Sequence, residues 1–539
     1  MQKAIASLLI LTAWAYPCLA QGVTDTLTPQ PDTLRILEIL YADKQGYKRV
    51  DTATELQFLV GNVQVKQGKT YFYCDSAVFN RKLYMLEAFG KVHINDADSV
   101  QVYGQYLKYF TNTRMANLRK KVKLTDSQSS LYTEEMTYDV NQKIGEYLKG
   151  GRIENGNSIL TSEQATYYSD LKDAYFKCMV HLKNPEYSLD TDSLLYNTES
   201  EVATFITYTV VTDSSNRKIK TRDGYYDKKN KKASFRQRPV IEDGAVTVTA
   251  DDIQTNDSTG INILTGNAVY KDTAQKMAVI ANLIEANRNT DQFRATQKPL
   301  MIFQQENDTL YLAADTLFSA RLSSLKGDSA APDHKTTDSL VKDSAGKTKD
   351  STDRYFTAYP KVKIFSDSLQ ALADSLFYSF KDSAFRLFKD PVFWSAENQV
   401  TGDTILLFTR NNKAHRLLVN ENALLVNKDG TELYNQIEGH VINGSFADGV
   451  IDYIRAKGSA SSIYYIKDQD SSLVGVNKAS GDIIDLRFVN KELNRVLYIN
   501  DVKGKMYPFK EFPDAEKKLR NFLWLDAKRP KNKFELLED

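Results

Sequence analysis

The sequence predicts an all-β protein, with antiparallel strands stacked in repeats of about 30 residues. Three observations predict it. First, an eight-position phrase recurs: apolar, any, small, acidic or polar, any, apolar, any, usually aromatic. Its copies begin at Phe72, Val102, Leu131, Leu160, Leu189, Ile219, Val248, Val279 and Leu312, and return near Ala371 and Val400. Self-similarity at a fixed period signals a stacked-repeat architecture. Second, the chain holds 31 Tyr and 25 Phe, residues that favour strands. Third, no segment before residue 510 carries a 3.6-residue apolar period.

Along the chain, residues 1–20 read as a secretory signal peptide. Lys3 supplies the positive start and Ala4 to Ala15 the apolar run. Cys18 and Ala20 are the small residues before a cut at Gln21. A lipoprotein cysteine at Cys18 is the alternative, though Pro17 fits it poorly. The mature protein is then soluble or peripheral in an exported compartment. Residues 21–50 are a leader and 51–322 the first block of repeats. Residues 323–353 are rich in Ser, Lys, Asp and Thr, too poor in apolar side chains to offset ordering entropy, and are expected to be a disordered insert. Residues 354–510 continue the array. Residues 511–539, with Pro513 near their start, are expected to form a C-terminal helix and a solvated basic tail.

The phrase contains a change of parity. In "LDTDSLLY", Leu189 and Thr191 share one face by alternation, while Leu194 and Tyr196 share a face of the opposite parity. Both pairs point inward only if the strand bends between Thr191 and Asp192, with Ser193 left outside. The acidic position (Asp75, Glu134, Glu163, Asp192, Asp251, Asp315, Asp374, Asp403) therefore marks a fold line. Cys74 fills the slot that takes Thr, Ser, Ala or Gly in other copies, so it reads as structure rather than as a reactive thiol.

Little in the sequence points to catalysis. The five His are scattered without metal-ligand spacing, and there is no CxxC pair, nucleophile elbow or phosphate-binding glycine loop. No metal, no cofactor and no enzymatic activity are expected. A net charge of +1 gives no reason to expect a nucleic-acid partner.

The stretches "FLVGNVQV" (Phe58–Val65), "YCDSAVF", "LEAFGKVHI" and "VYGQYLKY" resemble the OstA-like (organic-solvent-tolerance) family. "DPVFWSAENQVTGDTILL" and "VLYINDVKGKMYPF" resemble the longer OstA-like proteins of Bacteroides-type bacteria. The resemblance implies an elongated, twisted β-jellyroll, a V-shaped trough with an apolar interior. It implies a periplasmic carrier or bridge for lipopolysaccharide transport and outer-membrane assembly. The partners it implies are lipid A acyl chains and other transport proteins, joined by edge-strand addition; the first copy, Phe58–Val65, is the expected docking edge. Inward positions expected to meet acyl chains are Val102, Leu107, Leu131, Leu160, Leu189 and Leu194. The alternative is a closed structural or adhesive β-repeat protein of the cell envelope without a lipid ligand.

Overall fold

The computed structural model describes residues 36–538, apart from 52–54, 127, 305–307, 326–339, 343–347, 351–352, 411–412, 431, 448–449, 469–471 and 490–491. The expected signal peptide and most of the expected disordered insert lie outside the described residues. Within the insert, Leu340–Lys342 pairs with Thr348–Asp350. The described chain is strand throughout, with antiparallel pairing and a few 3-10 turns. It divides into two compact units, residues 1–117 and 118–539.

In the first unit, strands Glu55–Gln67, Thr70–Asn80, Met85–Asp96 and Val100–Phe110 form a continuous antiparallel ladder. The array begins before residue 51: Glu38–Tyr41 and Lys44–Arg49, within the expected leader, both pair with Glu55–Gln67. Phe58–Val65 is therefore not a free edge, because two short strands of the same chain occupy it. Their own outer side shows Ile39, Leu40, Tyr41 and Tyr47 to solvent.

In the second unit the ladder runs on strand by strand, and the repeat becomes geometry. Residues directly opposite one another across successive strands form an unbroken inner row. It runs Leu131, Ile153, Leu160, Leu182, Leu189, Val211, Ile219, Ile241, Val248, Tyr270, Val279, Met301 and Leu312. First positions of the sequence phrase supply every second member. A second inner row lies beyond the fold line, through Phe176, Leu194, Phe205, Gly224, Phe235, Ile253, Leu264, Ile284 and Ala295. Apolar side chains of the two rows meet between the sheets, so each crossing strand contributes to both walls of a stacked β-jellyroll.

At most corners one residue of a crossing strand lies opposite two of its neighbour. Asp75 faces Gly90–Lys91 and Asp192 faces Cys178–Met179. Both members of each pair have positive φ, at 71° and 41° in the first and 60° and 50° in the second. The extra residue turns the strand and switches which parity points inward. The acids stay on the outer side of these corners and bind the turning chain. Asn267 Nδ2 donates to Asp251 at 3.0 Å and Asn422 Nδ2 to Asp403 at 3.1 Å. Glycine at 90 is required: its φ is positive, and a Cβ there would lie 2.3 Å from the Asp75 carboxylate.

One detail of the parity argument is corrected. Ser193 is buried, not outside. It sits in the inner angle of the corner, where its N–H donates to Thr207 Oγ1 at 3.0 Å and its carbonyl accepts from Thr191 and Thr207 hydroxyls. At the bend the outer position is taken by Asp192, and its neighbour Ser193 is covered.

The C-terminal expectation is also corrected. Residues 511–539 form no α-helix among the described residues; they run as irregular, turning chain with 3-10 turns at Asp514–Glu516, Asp526–Lys528 and Lys533–Leu537. Leu519, Phe522 and Leu523 have helical spacing, but the peptide groups that a helix would pair internally are taken by side chains of the array. Gln436 binds Lys517 O and Leu519 N, and Gln399 binds Leu523 O and Leu525 N. The segment is packed against the array, with Phe512, Leu519 and Leu536 buried, and is not a free basic tail.

Candidate functional site

Between the sheets of the second unit a third line of residues, two positions beyond the second inner row, decides how far the interior is filled. From Tyr138 it alternates large and small: Tyr138, Gly145, Tyr167, Ala174, Tyr196, Ala203, Tyr226, Ala233. Each tyrosine ring lies beside a residue too small to compete with it. Tyr167 donates to Asp126 Oδ2 at 2.5 Å, and Asn155 Nδ2 donates to Tyr196 Oη at 3.3 Å, so the buried hydroxyls are partnered.

After Ala233 the alternation stops. The next three members are Thr255, Asn262 and Ala286, and only then come Phe293, Ser319 and Phe356. The missing rings leave a cavity of about 380 Å³ between the sheets. Ile241, Val248, Tyr270, Val279 and Met301 of the first inner row form one wall, and Ile253, Leu264 and Ile284 of the second form the other. Asn262, Ala286 and Phe293 mark the place of the interrupted column. Ile241, Val248 and Tyr270 are only half-buried, where the same row from Leu131 to Leu189 is sealed.

The surrounding polar residues are charged but balanced. Arg217 pairs with Asp213 at 2.9 Å, Arg288 with Asp257, and Arg354 with Asp291 at 3.4 Å. Arg321 also reaches Asp291, at 3.0 Å. Burial, reinforced by the charge of Asp272, pushes the Tyr270 phenol up to about 12, so it stays neutral and can donate a hydrogen bond. An apolar cavity with a few polar groups at its margin suits an amphiphile, with its hydrocarbon inside and its polar end at the arginine–aspartate border.

The sequence-predicted positions all point inward, and none lines this cavity. Val102 and Leu107 are sealed in the first unit, facing Ile94 and Ala88 across the ladder. Leu131, Leu160 and Leu189 lie on the first inner row and Leu194 on the second, each at most 1% exposed and covered by protein atoms. The cavity lies farther along the same rows. Its signal is present in the sequence: the eighth position is aromatic in Tyr138, Tyr167, Tyr196 and Tyr226, then becomes Thr255, Ala286 and Ser319.

Among the described residues, no cluster of three His, Cys, Asp or Glu could hold a metal. Cys74 and Cys178 are free thiols. Burial first, then the charge of Asp75, pushes the Cys74 thiol up to about 12, leaving it protonated and a poor nucleophile.

The fold and cavity define a class: a stacked antiparallel β-jellyroll with an apolar interior space. Residues 35–192 match the family model described as OstA-like protein, so this stretch of the chain is similar to that family. Among solved structures, the chain is similar to LptH of Pseudomonas aeruginosa, described as the LptA-homologous periplasmic component of the lipopolysaccharide transport device. Identity is 18%, the alignment covers 21% of this chain and 84% of that one, and the TM-score is 0.19. No curated protein sequence matches the chain.

Proposed function

We propose that this chain is a periplasmic carrier or bridge for lipopolysaccharide in outer-membrane assembly, and that it shelters acyl chain in the cavity between residues 241 and 301. The observation that carries the reading is the interrupted aromatic column, which leaves apolar walls without a filling side chain. An OstA-like domain at the start of the chain supports it. Moving hydrocarbon from water onto such walls is favourable by about 0.8 kcal/mol per CH₂. A partner in the transport system would add a strand to an open edge. The exposed, apolar Glu38–Tyr41 edge fits that role better than the covered Phe58–Val65. This is a binding role without catalysis, in the periplasm and in association with the outer membrane.

A closed structural protein is the second reading, and the sealed rows from Leu131 to Leu194 favour it for that part of the array. Photo-crosslinking in cells separates the two. A photo-reactive side chain at Val248 faces the cavity; the same group at Thr247 faces away on the same strand. Lipid labelling at 248 and not at 247 is the expected result. Equal labelling at both would mean general membrane contact, and none at 248 would leave the structural reading.

A further inference from the structure

The outer face of the first sheet changes character after Lys271. Up to that point the outer row is polar, with Lys218, Glu242, Thr247 and Lys271 opposite one another on successive strands, and it continues through Ala278, Ile302 and Tyr311. From Gln370 onward the same row reads Gln370, Trp394, Gln399, Val426, Gln436 and Ile463, all buried. These strands are buried on both faces, and the layer covering the outer one is the C-terminal segment.

That segment is held as a ligand is held. It adds no strand to the ladder. Gln436 donates to Lys517 O and accepts from Leu519 N, both at 2.8 Å. Gln399 repeats the contact six residues on, with Leu523 O and Leu525 N, both at 2.7 Å. Gln370 accepts from Arg529 Nε at 2.7 Å, and Lys363 Nζ donates to Glu538 O at 2.6 Å. Each of the first two amides satisfies one C=O and one N–H two residues apart, both of them main-chain groups. Sequence enters through the apolar contacts. Phe512 and Leu519 join Ile463, Tyr465 and Val476 in one buried cluster, and Phe522 and Trp524 pack on Tyr434. A buried glutamine on a sheet face would be costly if unpaired. Gln399 and Gln436, in one outer row, are both paired with main-chain groups of one passing segment.

We propose that the outer face from Gln370 to Val476 is a seat for a non-helical peptide, and that residues 509–538 fill it in cis as a removable strap. Covalent attachment gives the strap a high effective concentration, so modest contacts keep the seat filled. Release exposes Trp394, Val426, Ile463 and Tyr465 together, a contiguous apolar face that the strap otherwise keeps from water.

The test uses the full chain with a protease site inserted after Pro508. After cutting, a fluorescent synthetic peptide of residues 509–538 is added. Exchange into the cut protein is expected while the strand circular dichroism persists. Gln399→Ala with Gln436→Ala should weaken the peptide by about tenfold or more. A second measurement needs no insertion: in the uncut double variant, amide exchange at Leu519 and Leu525 should accelerate at least about tenfold while strand amides stay protected. Failure of the cut segment to exchange, collapse of the strand signal on its release, equal peptide affinity in the double variant, or unaltered amide exchange would each overturn the proposal.

Discussion

Residues 129–205 and residues 240–303 are built on the same repeat, the same two inner rows and the same corners, yet one stretch is sealed and the other gapes. In the first, Leu160, Leu182, Leu189, Phe176 and Leu194 are fully covered. In the second, Ile241, Val246, Val248, Tyr270 and Phe293 are half-exposed around a cavity. The backbone ladder is continuous through both. Side-chain volume in one column makes the difference: Tyr167, Tyr196 and Tyr226 fill the interior, and Thr255 and Ala286 do not. A repeat of this kind sets where the two walls run. Single positions within it then choose between a dry core and a binding space, because interiors pack densely and a missing ring is not easily compensated.

If the column is what seals the first region, removing one ring there should open it. Tyr196→Ala deletes a fully buried ring flanked by Ala174 and Ala203, neighbours too small to fill the gap. The expected loss is about 3–5 kcal/mol, by analogy with buried aromatic truncations. Denaturant unfolding followed by circular dichroism measures it. Amide exchange on Asp173–Lys183 and Val202–Phe205 should show where the loss falls. A cost under about 1 kcal/mol would mean the tyrosines are not the pillars of the closed region, and the comparison would fail.

Much of this architecture is legible in the sequence. The phrase spacing announces stacked strands, and the parity change at Leu189–Tyr196 locates the corners. Cys74 reads as a structural slot, and the structure buries it with a protonated thiol. Alternation gives direction, so it places Leu131, Leu160 and Leu194 inward. Alternation says nothing about whether the opposite wall reaches them, and that is why it points to the wrong end of the rows for the cavity. The loss of the aromatic eighth position at Thr255 and Ala286 is visible but carries no meaning until strand pairing puts these residues beside one another. The C-terminal segment misleads for a different reason. Its apolar spacing is helical, and the glutamines that take its peptide groups lie 81 to 126 residues away in sequence. The first edge of the array is hard to place because Glu38–Tyr41 is too short and too exposed to announce itself as a strand.

Electrostatics sharpens the same contrast at the closed end. The Asp126 side chain is fully buried, and burial alone would raise its pKa. Hydrogen bonds from Lys172 Nζ at 2.6 Å, from Tyr167 Oη at 2.5 Å and from Ser129 N–H at 3.0 Å outweigh burial, and hold the carboxyl below its ordinary value. A depressed folded value contributes stability above the unfolded pKa of about 3.9, and that contribution is lost as pH falls through the folded value. Asp126→Asn should cost about 1–3 kcal/mol at neutral pH, since the Lys172 ammonium loses its anionic acceptor. Below about pH 4 the deficit should narrow, because the parent protein loses the same contribution. A deficit independent of pH would show that shape rather than charge ties this turn to the tyrosine column.

The smallest effect is the most discriminating, because one substitution should act with opposite signs in the two regions. Ala286 occupies a place where the column lacks a ring and borders the cavity. Ala286→Phe should fill part of that space and stabilise the chain by up to about 1 kcal/mol through newly buried apolar surface. Ala203 occupies the small place between Tyr196 and Tyr226 and is completely covered. Ala203→Phe should overpack it and cost about 1–3 kcal/mol. Both variants can be followed by the same denaturant titration, and lipid retained on purification gives a second readout. The ring introduced by Ala286→Phe would occupy the space proposed for hydrocarbon, so retained lipid should fall even as stability rises. Overpacking at Ala203 should lower stability without displacing lipid from the cavity. Equal losses of stability in the two variants would mean the cavity walls are no more able to accept a ring than the sealed core. Stabilisation by Ala286→Phe with undiminished lipid would place the lipid elsewhere along the rows.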